Sequence, residues 1–386
     1  MNINKVNSLK IKQWHHLIKK GNKQNIISFA SGRPESKISS IAHKKLVQIT
    51  KKIINYKNIF DYSSASGIPS LKQEVLKKFV DVSNIDVLIT NGAQQAIKLS
   101  IDALIPLKGK IIIPNPTYLG IELPLITKKA NIFPLSLHTL SKQQLEKAIK
   151  NIRPHLLYVI PDFSNPDGKT LSLEKRKLLA FLAKKYHFFI IEDQTYRFLN
   201  YQSSLLPSIQ SFDKKSTISI GTISKIIAPG LRIGWINASH SLIEKLTLYK
   251  EAEDLFTPSL NQLIVAEFLK DSKNFKNHQK KIKKLYQKRL ALLLKLLKQY
   301  LSNKFTWENP KGGFYVWIQG SKKFKSQQYL HKALKNNVAF IPGHIFYYKN
   351  PQYNNFRLSI SALSKSQIKK GVKKLTKIIM EKNKIP

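Results

Sequence analysis

The chain has 386 residues, which is enough for one large and one smaller domain with a substantial core. It contains no cysteine, which excludes disulfides, thiolate nucleophiles and cysteine-ligated metals, and it lacks the long apolar run of a membrane-spanning helix. Its formal charge is +44. Lysine recurs along nearly the whole chain, and this spread favours a compositional bias expressed on a solvated surface over a nucleic-acid-binding arm.

The first two thirds of the chain alternate short β-branched runs with amphipathic stretches. This alternation is typical of an α/β fold with a mostly parallel sheet. Strands are predicted over 86–90, 110–113, 155–160, 188–191, 217–220 and 232–236. Helices are predicted over about 94–104, 141–150 and 172–186. Ser141 and Ser172 precede two of these helices and are suitable N-caps.

The C-terminal part differs from the rest. A long lysine- and leucine-rich helical region is predicted over about 260–300, followed by strands over 313–318, 338–341 and 356–360. The predicted fold is therefore a large domain with a mostly parallel central sheet plus a smaller α+β domain. We expect residues 1–45 to contribute to the small domain and a substrate lid, 46–285 to form the large domain, and 286–386 to complete the small domain.

The most informative segment is 219–235, where a lysine follows a predicted strand among small and hydroxylic residues. The apolar neighbours of Lys225 favour a neutral ε-amine, which can react with an aldehyde. Thr222, Ser224 and Arg232 offer hydroxyls and a fixed cation to a phosphate. In so basic a chain an isolated lysine would indicate only surface charge, but this context favours a site.

This segment resembles the cofactor-lysine signature of the class I/II, fold-type-I aminotransferases, which depend on pyridoxal 5′-phosphate (PLP). It is most similar to the branch that contains 2-aminoadipate aminotransferases and the catalytic domains of MocR-type regulators. The resemblance implies that Lys225 is the catalytic residue and holds the cofactor as a Schiff base. It also implies that Arg232 binds the cofactor phosphate, and that Thr222 and Ser224 contact it.

An acidic pair ends the predicted strand at 188–191. Asp193, with Tyr196 three residues later, matches the family's Asp-x-x-Tyr. The resemblance implies that the carboxylate faces the ring nitrogen of the cofactor, which must stay protonated, and that Tyr196 donates to its O3′ atom. Glu192 is the competing acid, and a helix N-cap is the alternative role for such a pair. Gln194 and Thr195 stand where the family often has an acid and a proline.

Further family motifs occur in the expected order. Asn165 begins a turn that resembles Asn-Pro-x-Gly, and the resemblance implies a hydrogen bond to O3′. Gly92, Ala93 and Gln94 form a strand-to-helix turn whose backbone N–H groups are expected to bind the phosphate. Tyr118 matches the aromatic residue that stacks on the cofactor ring, with core packing as the alternative.

The resemblance also implies a shared active site. Tyr62 corresponds to a tyrosine that reaches the phosphate of the neighbouring subunit, which implies a homodimer. Arg357 corresponds to the arginine that binds the substrate carboxylate, together with Asn165. Ser31 and Gly32 match the segment that closes over the substrate.

Two more side chains near these motifs were considered. Arg33 is either a ligand for a side-chain carboxylate of the substrate or a surface residue. His344, near the expected mouth of the site, is taken as structural or solvent-exposed. No metal ion is expected.

The resemblance covers residues 10–379 and implies transfer of an amino group between an L-amino acid and a 2-oxo acid. The expected acceptor is 2-oxoglutarate, and the expected location is the cytoplasm, with no specific nucleic acid and no membrane as partner. One alternative is another PLP outcome on the same fold, such as a β-lyase or a decarboxylase. A DNA-associated regulator ranks last, because the matching region begins within about the first 25 residues and leaves no room for a preceding winged helix.

Overall fold

The computed structural model describes residues 25–34, 36–57, 59–202 and 204–380, and we number its strands and helices in chain order. The strands are β1 (Ile27–Ser28), β2 (Asp86–Thr90), β3 (Lys110–Pro114), β4 (Asn131–Leu135), β5 (Leu156–Val159), β6 (Phe189–Asp193), β7 (Thr217–Thr222), β8 (Gly234–Ala238), β9 (Phe305–Trp307), β10 (Tyr315–Gly320), β11 (Val338–Ala339), β12 (Ile341–Pro342) and β13 (Asn355–Ser359). The helices are α1 (Ser36–Ile53), α2 (Pro69–Phe79), α3 (Ala93–Leu104), α4 (Glu122–Thr127), α5 (Lys142–Ile152), α6 (Leu173–Tyr186), α7 (His240–Asp254), α8 (Ser259–Lys270), α9 (Ser272–Leu301), α10 (Ser326–Lys335) and α11 (Lys365–Met380).

A seven-stranded sheet has the order β2–β8–β7–β6–β5–β3–β4. Strand β8 is antiparallel to both neighbours, and every other adjacent pair is parallel. This confirms the mostly parallel sheet that the sequence predicts. Ligands of such sheets bind beyond the carboxyl ends of the strands, and β6 and β7 end there at Asp193 and Thr222.

The strands of this sheet are apolar on both faces because both faces are covered. On β3, Ile111 and Ile113 pack into one hydrophobic core, and Ile112 between them packs into another. Alternate side chains of a strand point to opposite faces, so one continuous apolar run supplies two cores.

A second, antiparallel sheet has the order β12–β13–β10–β9, and a separate parallel pair joins β1 to β11. The β1–β11 pair places the segment after β1 beside β13. There the Ser359 backbone N–H donates to Phe29 O at 2.9 Å. The N-terminal segment and the C-terminal part of the chain therefore meet next to the sheet that carries Arg357. The division of the chain at residues 45 and 285 stays a prediction.

Most predicted elements are present, with shifted ends. The helix predicted from Ser141 has the full capping box, and Ser172 caps α6 by accepting from Lys175 N. The strand predicted over 232–236 was placed too early: β8 starts at Gly234, and Arg232 lies in a left-handed turn before it with a φ of 52°.

Two other predictions need correction. The helical region predicted over about 260–300 consists of two helices, because Asp271 separates them and caps α9. The strand over 338–341 is two short strands, β11 and β12, which belong to different sheets. Among the described residues no helix is long and apolar enough to cross a membrane.

Candidate active site

A cavity of about 520 Å³ opens beyond the carboxyl ends of β5, β6 and β7. It is lined by residues from eight separate parts of the chain. Thirteen of the fifteen predicted site residues line it: Ser31, Gly32, Ala93, Gln94, Tyr118, Asn165, Asp193, Tyr196, Thr222, Ser224, Lys225, Arg232 and Arg357. Gly92 borders Ala93 without lining the cavity, and Tyr62 lies outside it.

Lys225 follows β7 by three residues and extends its amine into the cavity. Its Nζ donates to Gly32 O at 3.2 Å and lies 5.9 Å from the centre of the Tyr196 ring. Burial lowers the pKa of Lys225 from 10.5 to about 8; Asp193 opposes this shift, and Arg232 and Arg357 add to it. A substantial fraction of this amine is therefore neutral near physiological pH.

Asp193 is the carboxylate of the cavity. Its Oδ1 accepts from the Thr195 backbone N–H at 3.0 Å and the Thr195 hydroxyl at 2.6 Å, and its Oδ2 accepts from the Tyr158 hydroxyl at 2.8 Å. Burial raises the pKa of Asp193, while these hydrogen bonds and the nearby Lys225 lower it. The carboxylate is thus fixed in direction by three donors on the protein side.

Glu192, the competing acid, does not line the cavity. It is fully buried, and its carboxylate accepts from the backbone N–H groups of Ile209 and Gln210 at 2.9 and 3.1 Å and from the Ser219 hydroxyl at 3.0 Å. Successive residues of a strand point to opposite faces, so only one of two neighbouring acids can face the cavity. In this structure that acid is Asp193.

The turn before α3 has the geometry of an anion site. Gly92 is the N-cap of α3 and has a φ of 86°, and a Cβ there would come within 2.5 Å of Arg232 Nη2. The positive φ therefore favours glycine at this position, and a side chain there would also displace the Arg232 guanidinium. The first backbone N–H groups of a helix have no partner within it, so those of Ala93 and Gln94 are available to a ligand.

Arg232 lies beside this turn and is exposed to solvent. Its guanidinium donates to Asn91 O at 3.1 Å and to Pro229 O at 3.3 Å, and it has no carboxylate partner among the described residues. Two hydroxyls complete the same side of the cavity, with Thr222 Oγ1 2.9 Å from Ser224 Oγ.

Asp254 supports the turn through contacts with Asn91 and Gln95 that no pattern in the sequence predicts. It is the last residue of α7, and its carboxylate accepts from Asn91 Nδ2 at 2.5 Å, Gln95 Nε2 at 2.6 Å and Lys250 Nζ at 2.5 Å. Gln95 in turn accepts from the Asn91 backbone N–H at 2.7 Å. Residues 91–95 are therefore tied to the end of α7.

Arg357 lies on β13 and is buried at the opposite side of the cavity. It donates to Asn165 Oδ1 at 2.7 Å and to Ala30 O at 2.6 Å, and it lies 4.4 and 4.8 Å from the ring centres of Tyr315 and Phe346. Its Nε has no hydrogen-bond partner among the residues that the structure describes. Burial lowers the pKa of Arg357, but arginine stays charged in proteins, so within that part of the chain this cation lacks a counterion.

Three tyrosines form the remaining wall. The Tyr118 hydroxyl donates to Gln94 Oε1 at 3.1 Å, and the hydroxyls of Tyr196 and Tyr315 lie 2.9 Å apart. Tyr315 was not predicted as a site residue; it lies in the segment 313–318, which was predicted only as a strand. A buried tyrosine needs a partner for its hydroxyl, and this requirement was the available clue.

Three other side chains considered from the sequence have different surroundings. Arg33 lines the cavity and is exposed. Tyr62 is 85% exposed, with its ring edge-on to Phe256 at 5.6 Å. His344 lies outside the cavity and stacks on Tyr353 at 5.2 Å.

The charges of the cavity fit PLP with a bound substrate. Four cationic side chains line it, namely Arg33, Lys225, Arg232 and Arg357, against the single carboxylate of Asp193. The buried Arg357 favours an anionic ligand most strongly, because the exposed Arg33 and Arg232 are also solvated by water. The glycine turn and Arg232 suit a phosphate, Asp193 suits a ring N–H, and the unpaired Nε of Arg357 suits a carboxylate. The fold and these groups define an enzyme that uses a phosphorylated aldehyde cofactor on carboxylate substrates.

Comparison with known proteins gives the family. Residues 24–375 match the aminotransferase class I and II family, and the chain belongs to it. It is 31% identical to an uncharacterised aminotransferase of Saccharolobus solfataricus, over 95% of this chain and 94% of the relative. It is 30% identical to aromatic-amino-acid aminotransferase 1 of Thermococcus litoralis, over 97% and 93%.

A solved structure supports the same assignment. The alpha-aminoadipate aminotransferase of Thermus thermophilus, crystallised with N-(5′-phosphopyridoxyl)-L-leucine, has a TM-score of 0.87 and 28% identity, covering 95% of this chain and 93% of its own. The fold is that of the fold-type-I enzymes, and the chain is a PLP-dependent aminotransferase that acts on amino acids and 2-oxo acids.

Proposed function

We propose that Lys225, Asp193 and Arg357 are the central groups of this transamination. The observation that supports this most is that a lysine amine with a lowered pKa, a fixed carboxylate and a buried arginine without a counterion line one cavity. They come from the ends of two neighbouring strands of the large sheet and from a strand of the second sheet.

In this proposal the phosphate end is held by Arg232, the N–H groups of Ala93 and Gln94, and the hydroxyls of Thr222 and Ser224. Tyr62 of a second copy adds its hydroxyl, so that the active enzyme is a homodimer with shared sites. The exposure of Tyr62 and its absence from the lining of the cavity support an action across an interface.

When bound, PLP draws electrons away from the substrate α-carbon through its protonated ring. Asp193 accepts a hydrogen bond from the ring nitrogen and keeps it protonated, with Tyr158 and Thr195 fixing the direction of the carboxylate. The ε-amine of Lys225 would hold the cofactor and, when that amine is free, would act as the base that takes the α-proton and returns it. A pKa near 8 suits a base that must be neutral at physiological pH.

The substrate carboxylate binds Arg357, whose orientation is fixed by Asn165 and by the two flanking rings. Tyr196 donates to the cofactor oxygen, and Tyr118 covers the ring. Ser31 and Gly32 close over the substrate, and the bond from Lys225 Nζ to Gly32 O supports their closeness to the reacting atoms. We propose 2-oxoglutarate as acceptor, with the exposed Arg33 available to its second carboxylate.

Two coarser proposals accompany these roles. The protein acts in the cytoplasm, and its chain divides into a lid-bearing segment 1–45, a large domain 46–285 and a small domain 286–386. Limited proteolysis that cuts near residues 45 and 285 would support the division.

The experiment that tests the roles compares Lys225→Ala with Lys214→Ala, an exposed lysine away from the cavity. We expect hydride reduction of the PLP-loaded enzyme to attach the cofactor to Lys225, and Lys225→Ala to lose both this adduct and amino-group transfer. Lys214→Ala should retain both. Full turnover by Lys225→Ala would refute the assignment.

Product analysis separates transfer from the other outcomes of the same cofactor. We expect a 2-oxo acid to form from the donor only when an acceptor is present and in equal amount to the new amino acid. Release of ammonia or carbon dioxide without an acceptor would instead indicate a lyase or a decarboxylase.

A further inference from the structure

The positive charge of the chain is unevenly distributed, because the C-terminal part has both a higher density of lysine and almost no acidic residues. Residues 25–271 contain 33 lysines and arginines and 20 acidic residues, a net charge of +13 in 247 residues. Residues 272–380 contain 25 and a single acid, Glu308, a net charge of +24 in 109 residues. A bias towards lysine codons explains frequent lysine everywhere, but it does not explain the loss of acidic residues from one part of the chain.

Two packed helices concentrate this charge. Helices α9 and α11 pack along each other, and their apolar sides contribute to the main core, for example through Leu293 and Leu375. Together they carry fifteen lysines and no acidic residue. Thirteen of these lysines are exposed, and we call them the basic face.

The positive charge of the basic face is not neutralised by acidic side chains of the described residues. None of its lysines forms a salt bridge within the described residues, whereas twelve of the thirteen salt bridges lie within residues 45–271. Like charges three or four residues apart on a helix repel each other. Lys281, Lys284 and Lys288 have such spacings on α9, and Lys369, Lys373 and Lys377 on α11. A polyanion would relieve this repulsion and release its own counterions.

We propose that the basic face binds the phosphate backbone of double-stranded nucleic acid without reading its bases. Neither helix exposes a large apolar or aromatic side chain. An anionic membrane is disfavoured because interfacial helices insert an apolar face, and single strands are disfavoured because they stack on aromatic rings. Lysine side chains are sufficient to contact the regularly spaced phosphates of a duplex, without help from apolar or aromatic residues.

The test uses a six-lysine variant with a charge-matched control. The first variant changes Lys281, Lys284, Lys288, Lys369, Lys373 and Lys377 to Gln. The control changes Lys142, Lys147, Lys150, Lys184, Lys214 and Lys215 to Gln; these are also exposed and outside every salt bridge. Both variants have the same net charge and leave the cavity intact, so transaminase activity reports their folding.

Binding is measured by fluorescence anisotropy with a random-sequence 30-base-pair DNA duplex and its RNA equivalent, from 50 to 200 mM salt. We expect micromolar binding by the unmodified enzyme, at least a tenfold loss in the first variant, and less than a threefold loss in the control. Each lost phosphate contact should flatten the slope of log K against log salt by about 0.9.

Three results would overturn the proposal. Equal losses of duplex affinity in the two variants would show that binding depends only on net charge and not on the basic face. Absence of binding at 50 mM salt would show that double-stranded nucleic acid is not the partner. Tighter binding to vesicles with 30% phosphatidylserine than to either duplex, lost in the first variant, would assign the basic face to a membrane.

Discussion

The lowered pKa of Lys225 makes this amine distinguishable from the other lysines by its reactivity alone. At pH 7 a pKa of about 8 leaves about one amine in eleven neutral, whereas an ordinary lysine near 10.5 has about one in 3,000. The chain has 59 lysines, so 58 compete with Lys225. A reactivity advantage of roughly 300-fold directs about four fifths of the lysine modification to Lys225 at pH 7.

Reductive methylation measures this advantage without requiring cofactor affinity. The cofactor-free protein is treated with substoichiometric formaldehyde and cyanoborohydride, then digested and analysed by mass spectrometry. At pH 10 the surface lysines become partly neutral, and the share of Lys225 should fall below about a tenth. The N-terminal amine, with an ordinary pKa near 8, serves as the internal reference.

A variant at Asp193 separates the effect of burial on the pKa of Lys225 from the effect of the neighbouring carboxylate. The negative charge of Asp193 raises the pKa of Lys225 against the effect of burial. Asp193→Asn should therefore lower that pKa further and increase the share of Lys225 at pH 7. Even modification of all lysines at pH 7, or a share that does not depend on pH, would refute the reasoning.

Three further substitutions test the surroundings of the site. Arg357→Lys keeps the charge but loses the planar guanidinium, so the KM values of donor and acceptor should each rise at least tenfold in initial-rate measurements. The absorbance of bound PLP should stay unchanged. Asp254→Asn should raise the Kd of PLP about tenfold in a spectroscopic titration, because the phosphate turn loses its support, while Glu253→Gln should leave it within twofold. Tyr158→Phe removes a hydrogen bond that lowers the pKa of Asp193, so the acid limb of the pH profile of kcat/KM should move to higher pH.

Most of the residues predicted for the site line one cavity, and the local motifs that carry Lys225 and Asp193 lie at the ends of strands. Lys225 and Asp193 follow strands that adjoin in the sheet, and the parallel arrangement brings such ends to one edge whatever their separation in the chain. The order of the motifs was therefore sufficient to place most of the cavity. Element ends were less accurate, as Arg232 illustrates, because a left-handed turn residue has no distinct pattern.

The residues that were missed act across elements. Tyr158 reaches Asp193 because β5 pairs with β6 in a particular register, and Asp254 reaches residues 91–95 because α7 ends beside α3. Neither pairing leaves a periodicity or spacing in the sequence. A polar side chain in a buried strand indicates that a partner exists, but only the register identifies it.

The buried arginines differ in whether the fold provides them with a carboxylate partner. Arg176 and Arg197 are as inaccessible as Arg357, and both share Asp162, at 2.5 and 3.0 Å. The chain has only 22 acidic residues, yet it places one between those two arginines and none beside Arg357. An unpaired buried charge costs several kcal/mol, so a structural arginine in that position would be expected to have acquired a carboxylate. The missing carboxylate is the one group that every amino acid and every 2-oxo acid brings, and this is why we propose that Arg357 binds the substrate in both halves of the exchange.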